Sequence, residues 1–259
     1  MNFKNQVILV VGASSGMGRV VASKLATAGA KLVITARTKD KIESLESDIL
    51  AKSGECLSIA ADALDERAAE NVVKSAVERF GRIDVVLLNA GGAPAIDMRT
   101  MSAADVKAYM RSNYDVTVNY LFPVLEQMKK QKSGYVAHTN SLAGFVGVPL
   151  QGPYSAAKGA SRLLIDTCRM EFSEYGIKFL NVYPGFVATE ATKNDGMPAP
   201  LETSEDKAAD HILYALRKEK SNYMFPLVTS WLIRLARVLP QPILNFILVE
   251  TKNRVDQVL

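Results

Sequence analysis

Cysteine and histidine are scarce: two of each, Cys56, Cys168, His138 and His211, in 259 residues. The cysteines are far apart and form no CxxC pair, so neither a disulfide framework nor a thiol metal site is expected. That usage fits a reducing compartment, and the expected location is cytoplasmic. Two histidines are too few for a histidine-rich metal centre. An excess of one charge is lacking too. The chain has 31 basic and 27 acidic residues, a net charge of +4, and no lysine/arginine block with aromatics between, which argues against a nucleic-acid surface. Long hydrophobic runs are also missing. "MNFKNQVILVVGASSG" has one short apolar run that enters a glycine-rich turn, without the basic start and cleavage site of a signal peptide. "WLIRLARVLPQPILNFILV" is broken by Arg234, Arg237, Pro240, Gln241 and Pro242 and makes a poor membrane span.

What is present is regular alternation. "QVILVV", "KLVITA", "CLSIAA", "IDVVLLN", "GYVAHTN", "IKFLNVY" and "NYMFP" read as strands, with helical patterns between them, one of them a single long helix over residues 103–131. Gly29, Gly54, Gly81 and Gly176 stand where helices should close. The early strands are apolar throughout, so both sheet faces should be covered. Strand–helix alternation then predicts an α/β fold: one domain with a doubly wound, mostly parallel sheet of about seven strands (a Rossmann fold) and helices on both faces. Residues 1–130 should mainly bind cofactor, 131–226 carry catalysis and substrate, and 227–259 form an apolar helical tail.

The first strand runs into "VGASSGMGRVVASKLA", with glycines at 12, 16 and 18. Glycine is needed where backbone turns sharply and a pyrophosphate approaches helix N–H groups. The bland alternative is a tight strand–helix connection. The second strand ends "KLVITARTKD", placing Arg37 where a carboxylate would select a ribose 2′-hydroxyl and an arginine a 2′-phosphate. NADP(H) is therefore expected over NAD(H), with NAD(H) as the alternative. "GPYSAAKGASRLL" holds Tyr154 and Lys158 one helical turn apart. The spacing alone says little, because "YALRK" repeats it at Tyr214 and Lys218 as a surface pair. Tyr154 differs in its company: Ser141 lies thirteen residues earlier, "LLNAGG" and "HTNSLAG" each follow a strand, Asn113 lies in a helix, and "YPGFVATE" follows the next strand.

In that order these pieces resemble the compact, single-domain branch of the short-chain dehydrogenase/reductase family, over residues 5–225. The resemblance implies an NADP(H)-dependent oxidoreductase that interconverts a carbonyl and a secondary alcohol, with a catalytic tetrad of Asn113, Ser141, Tyr154 and Lys158. It implies a pyrophosphate turn of Gly12, Ser14, Ser15, Gly16, Met17 and Gly18, an adenine-side Asp62, and cofactor support from Asn89, Ala90 and Gly91. Pro184, Gly185, Val187 and Thr189 would flank the nicotinamide, with Tyr154 and Lys158 also touching the cofactor. Asn113 would hold a proton-relaying water. The resemblance further implies a homodimer or homotetramer and a small-molecule substrate. Two departures stand out. Ser15 replaces a basic residue that often helps bind the 2′-phosphate, and Asn140 replaces a frequent serine, with little effect expected. A catalytically silent sensor or scaffold on the same fold is the alternative.

A tyrosine with its usual pKa near 10 needs a drop of about three units to act around pH 7, roughly 4 kcal/mol. An ammonium ~6 Å away would supply about 2.8 kcal/mol at an effective dielectric near 20, so Lys158 should carry most of the shift. His138 reads as a packed strand residue and residues 191–204 as a mobile lid. In the tail, Trp231, Leu235, Val238 and Leu239 share a helical face. Packing on the core or a partner subunit is the expected use, with a lipophilic-substrate entrance or a peripheral membrane contact as alternatives.

Overall fold

The computed structural model describes residues 1–189 and 201–256, with side chains to residue 250. Its elements are β1 (Val7–Val11), α1 (Gly16–Thr27), β2 (Lys31–Ala36), α2 (Lys39–Leu50), β3 (Glu55–Ala60), α3 (Glu66–Phe80) and β4 (Val85–Leu88). They continue with α4 (Ala103–Asn113), α5 (Asp115–Gln131), β5 (Gly134–Thr139), α6 (Gly152–Glu171), β6 (Ile177–Pro184), β7 (Val187–Ala188) and β8 (Thr203–Ser204). The last are α7 (Glu205–Arg217), β9 (Asn222–Phe225), α8 (Leu227–Ala236) and α9 (Gln241–Asp256). Seven strands form one sheet in the order β3-β2-β1-β4-β5-β6-β9, and every pairing is parallel. The expected doubly wound α/β fold is what the chain adopts.

Alternate residues of each central strand serve opposite faces. Ile8, Val10 and Ile34 join Val21, Leu25, Ile212 and Leu216 of α1 and α7 in one core. Leu9, Val11 and Val33 join Val72, Leu121, Val124 and Ile165 of α3, α5 and α6 in the other. With both faces covered, solvent-facing alternation is lost, which is why these strands read as unbroken apolar runs. The strand order reverses between β1 and β4. The crevice outside the carboxyl ends of the strands at that reversal is where such sheets bind ligands.

Three expectations need correction. The long helix over 103–131 is two helices, broken at Tyr114. Asn113 turns its Nδ2 back onto Tyr109 O (3.3 Å), and Thr117 N–H bonds Tyr114 O three residues back (2.9 Å), so a side chain competes with the regular ladder. After α2 the left-handed residue is Ser53, φ 60°, rather than Gly54. The tail, described through α8 and α9, does not pack its apolar face on the core, the first of its two expected uses: Trp231, Leu235 and Val238 are 66%, 56% and 77% exposed, with Leu239 half-buried. Of the stretch read as a lid, residues 191–200 lie outside the described residues, and its end forms β8, which pairs with β7.

Candidate active site

The turn after β1 is held by close backbone packing. Gly12 has φ +84°, and a Cβ there would stand 2.9 Å from Ala90 backbone; one on Gly18 would stand 2.1 Å from Gly12 O. Only glycine fits either place. Asn89 Nδ2 donates to Gly12 O (3.3 Å), which ties the turn to the end of β4. The helix that follows opens with a bare end. Ser15, its N-cap, makes no side-chain cap bond, whereas Asp65, Ser102 and Ser204 cap α3, α4 and α7. Ser15 thus leaves the first N–H groups of α1 uncapped by its own side chain, as the N-caps of α2, α5, α6 and α8 also do, and a helix start after a glycine turn is a place that can receive an anion.

Ser14, Ser15 and Gly16 border an open cleft of about 440 Å³, which Arg19, Lys41, Asp40 and Glu205 also line. Arg19 is engaged with Lys41 O (2.8 Å) and Asp48 (3.1 Å). Met17 packs on the core. Arg37 is exposed, one residue beyond β2, and Asp62 is exposed two residues beyond β3, its Oδ1 accepting Leu64 N–H (3.0 Å). Both stand at the carboxyl edge of the sheet.

A second junction joins the loop after β4 to α4 and α6. Asn113, buried at 1% exposure, accepts the N–H of Gly92 on Oδ1 (3.0 Å). A Cβ on Gly91 would lie 2.8 Å from that oxygen and 3.8 Å from Lys158 Nζ. Asn113, Gly91 and Lys158 therefore meet at one point. The Asn113 carboxamide is occupied in holding this loop.

The third group hangs on β5 and α6. Ser141 follows β5, its Oγ accepting Ala143 N–H (3.1 Å). Lys158 is buried and donates from Nζ to Thr139 O (2.9 Å), 5.7 Å from the centre of the Tyr154 ring. The helical spacing delivers the cation to the phenol as expected, but the electrostatic outcome differs. Burial pushes the Tyr154 phenol up to about 12, with the nearby Ser141 side chain acting the other way. Burial also brings the Lys158 ammonium down to about 8. Taking the phenolate out of water dominates, an effect that the distance to the cation does not include.

The segment after β6 closes the site. Gly185 N–H bonds Phe225 O (2.7 Å), and a Cβ on Gly185 would stand 3.1 Å from Pro226 and 3.6 Å from Leu142. Pro184 ends β6, and Val187 is buried. Thr189 Cγ2 lies 3.8 Å from the place of a Cβ on Gly16, so this segment reaches the open end of α1.

Asn140 is the residue the sequence undervalued. It is buried, accepts Ser141 N–H on Oδ1 (2.8 Å) and donates from Nδ2 to Lys158 O (3.1 Å). Its position beside Ser141 was the only available signal. His138 is packed as expected. It lies between Asn181 (3.2 Å) and Thr117 (3.4 Å), and burial lowers its pKa to about 3. Tyr214 of the second tyrosine–lysine pair is exposed and packs on Tyr223.

Sheet order and parallel pairing define a doubly wound α/β protein with a glycine turn at its strand reversal. The short chain dehydrogenase family profile matches residues 6–198. An uncharacterized oxidoreductase of Listeria monocytogenes is 34% identical over 221 residues, 85% of this chain and 86% of that one. The levodione reductase of Leifsonia aquatica is 33% identical, covering 81% and 80%. Among solved structures, a levodione reductase superposes with TM-score 0.79 at 27% identity, covering 87% of this chain and 96% of that one. An alcohol dehydrogenase from Thermococcus sibiricus complexed with 5-hydroxy-NADP gives 0.77 at 25%, covering 86% and 96%. The chain belongs to the short-chain dehydrogenase family and is an oxidoreductase of it.

Proposed function

We propose that this protein is an NADP(H)-dependent oxidoreductase that interconverts a carbonyl and a secondary alcohol, with Tyr154 as general acid/base. The observation that carries the reading is the convergence of Ser141, Tyr154 and Lys158 from a loop and a helix, beside the Gly91–Asn113 junction. The dinucleotide, when bound, supplies or accepts the hydride. Its pyrophosphate is held at the bare end of α1 by the turn from Gly12 to Gly18, its adenine side meets Asp62, and Asn89 to Gly91 support it. Pro184, Gly185, Val187 and Thr189 flank its nicotinamide end. Arg37 takes the 2′-phosphate; no carboxylate ends β2 to oppose it, and Arg37 makes no hydrogen bond or ion pair among the described residues.

Tyr154 gives its phenolic proton to the substrate oxygen as that oxygen gains charge, and Ser141 donates a hydrogen bond to the same oxygen. A phenol at about 12 is protonated at neutral pH, the form that carbonyl reduction requires. Lys158 holds positive charge beside the phenolate left behind, and Asn113 keeps the Gly91–Gly92 loop against Lys158. In this reading residues 1–130 mainly hold the dinucleotide, 131–226 form the catalytic and substrate-binding part, and the enzyme is a cytoplasmic homo-oligomer acting on a small-molecule carbonyl compound or alcohol.

Tyr154→Phe tests the proposal. Turnover of ketones with NADPH, followed by absorbance, should fall by about 100-fold or more, while NADPH binding measured by fluorescence is kept. A variant within about tenfold of the parent rate sinks the tyrosine's role, and a parent that binds NADPH yet turns over no ketone or alcohol favours the sensor reading.

A further inference from the structure

Helix α8 is built inside out. The positions it covers are Thr229, Ser230, Ile233 and Ala236, with Ser230 buried and its hydroxyl returned to Pro226 O (2.7 Å). Its large side chains point outward: Leu227 is 75% exposed and Trp231 66%. In α9, Phe246 is 72% exposed and only Leu244 is buried among its described side chains. By contrast α7, of similar length, buries Ile212, Leu213 and Leu216. Ten of the seventeen exposed large apolar side chains among the described residues fall between Leu227 and Val249; the others are scattered singly, as on any soluble protein.

The apolar part of this patch carries charge of one sign, with the exposed Glu250 standing just past its end in α9. From Leu227 to Val249 the sequence holds Arg234 and Arg237 and no aspartate, glutamate or lysine. Both guanidinium groups stand over aromatic rings, Arg234 at 5.2 Å from Trp231 and Arg237 at 5.0 Å from Phe145. Among the described residues no helix is long and apolar enough to cross a membrane. A short apolar helix with a tryptophan and two arginines suits the headgroup boundary instead.

We infer that the α8–α9 tail docks this protein on an anionic lipid surface. Lipid answers both features at once: acyl chains take the outward apolar residues and acidic headgroups take the arginines. A second copy answers them less well, because a twofold contact through this patch brings Arg234 and Arg237 towards their own images. The patch adjoins the candidate site: Pro226, which opens α8, packs on Gly185, and Phe145 lies four residues beyond Ser141. Docking itself does not depend on the proposed reaction.

Trp231 is the only tryptophan, so its emission reports this patch alone. The full chain should float with phosphatidylcholine vesicles containing phosphatidylglycerol, its emission should shift to the blue, and brominated lipid should quench it. Reversing both arginines (R234E with R237E) should weaken binding about tenfold or more, and L235D should weaken it with an unchanged thermal melt. If L235D fails to fold, the arginine pair and the quenching of the parent decide the matter. No flotation with an unmoved emission overturns the inference. So does a blue-shifted emission that follows protein concentration without vesicles, which assigns the patch to a second copy.

Discussion

Asn140 links the two halves of the candidate catalytic group: its Nδ2 bonds the backbone carbonyl of Lys158 at 3.1 Å, while its Oδ1 accepts the backbone N–H of Ser141 at 2.8 Å. One side chain thereby fixes the spacing between the serine loop and the lysine turn of α6. Asn140→Ala should lower kcat about tenfold or more through misplacement of Ser141 and Lys158. The KM for dinucleotide should stay near the parent value. Asn140→Ser is expected to behave alike, its hydroxyl being too short to span both partners. The pH–rate profile discriminates: a positioning role shifts its limbs, whereas simple loss of stability lowers the rate at every pH.

Arg37 bears on cofactor choice. Replacing it with alanine should raise the KM for NADPH by about 10- to 100-fold, the worth of a charge-assisted hydrogen bond to phosphate. The KM for NADH should barely move. Steady-state rates with both cofactors read this out; no rise with NADPH, or an equal rise for both, would take the 2′-phosphate contact away from Arg37, and Arg19 and Lys41, which line the neighbouring cleft, would be tested next.

Acid should destabilise the fold through His138. Burial holds its pKa at about 3 against an ordinary value of 6.5, with the Lys158 charge acting in the same direction. Between those values the unfolded chain takes up a proton that the folded chain refuses. The stabilisation is complete above pH 6.5 and is lost as pH falls towards 3. Its full size is of the order of a few kcal/mol. Denaturant titrations of the parent and His138→Asn should diverge in slope across that window, and parallel curves would assign the acid sensitivity to carboxylates.

Much of this was legible in the chain. Seven strands, the glycine turn and the meeting of Tyr154 with Lys158 follow from local pattern, because strand periodicity, glycine chemistry and helical spacing are short-range properties. The break at Tyr114 was hidden, since it arises from Asn113 bonding back to Tyr109 and outward to Gly92. The phenol's pKa was hidden for a related reason. Spacing fixes how near a cation comes, but desolvation depends on what the whole fold places around the ring. The exposed face of α8 was visible only as an apolar stripe, which in a sequence looks the same whether it faces a core or the outside.

The interlock of Gly12, Gly18 and Asn89 has a thermodynamic corollary. Backbone atoms of the turn already touch the sheet in the free chain, so a ligand arriving there finds a finished mould and has little left to order. Association should therefore be quick and show one kinetic phase, and amide exchange in the turn should be slow before any nucleotide is added. Gly18→Ala, whose methyl would collide with the Gly12 carbonyl, would deform the mould even in the absence of ligand.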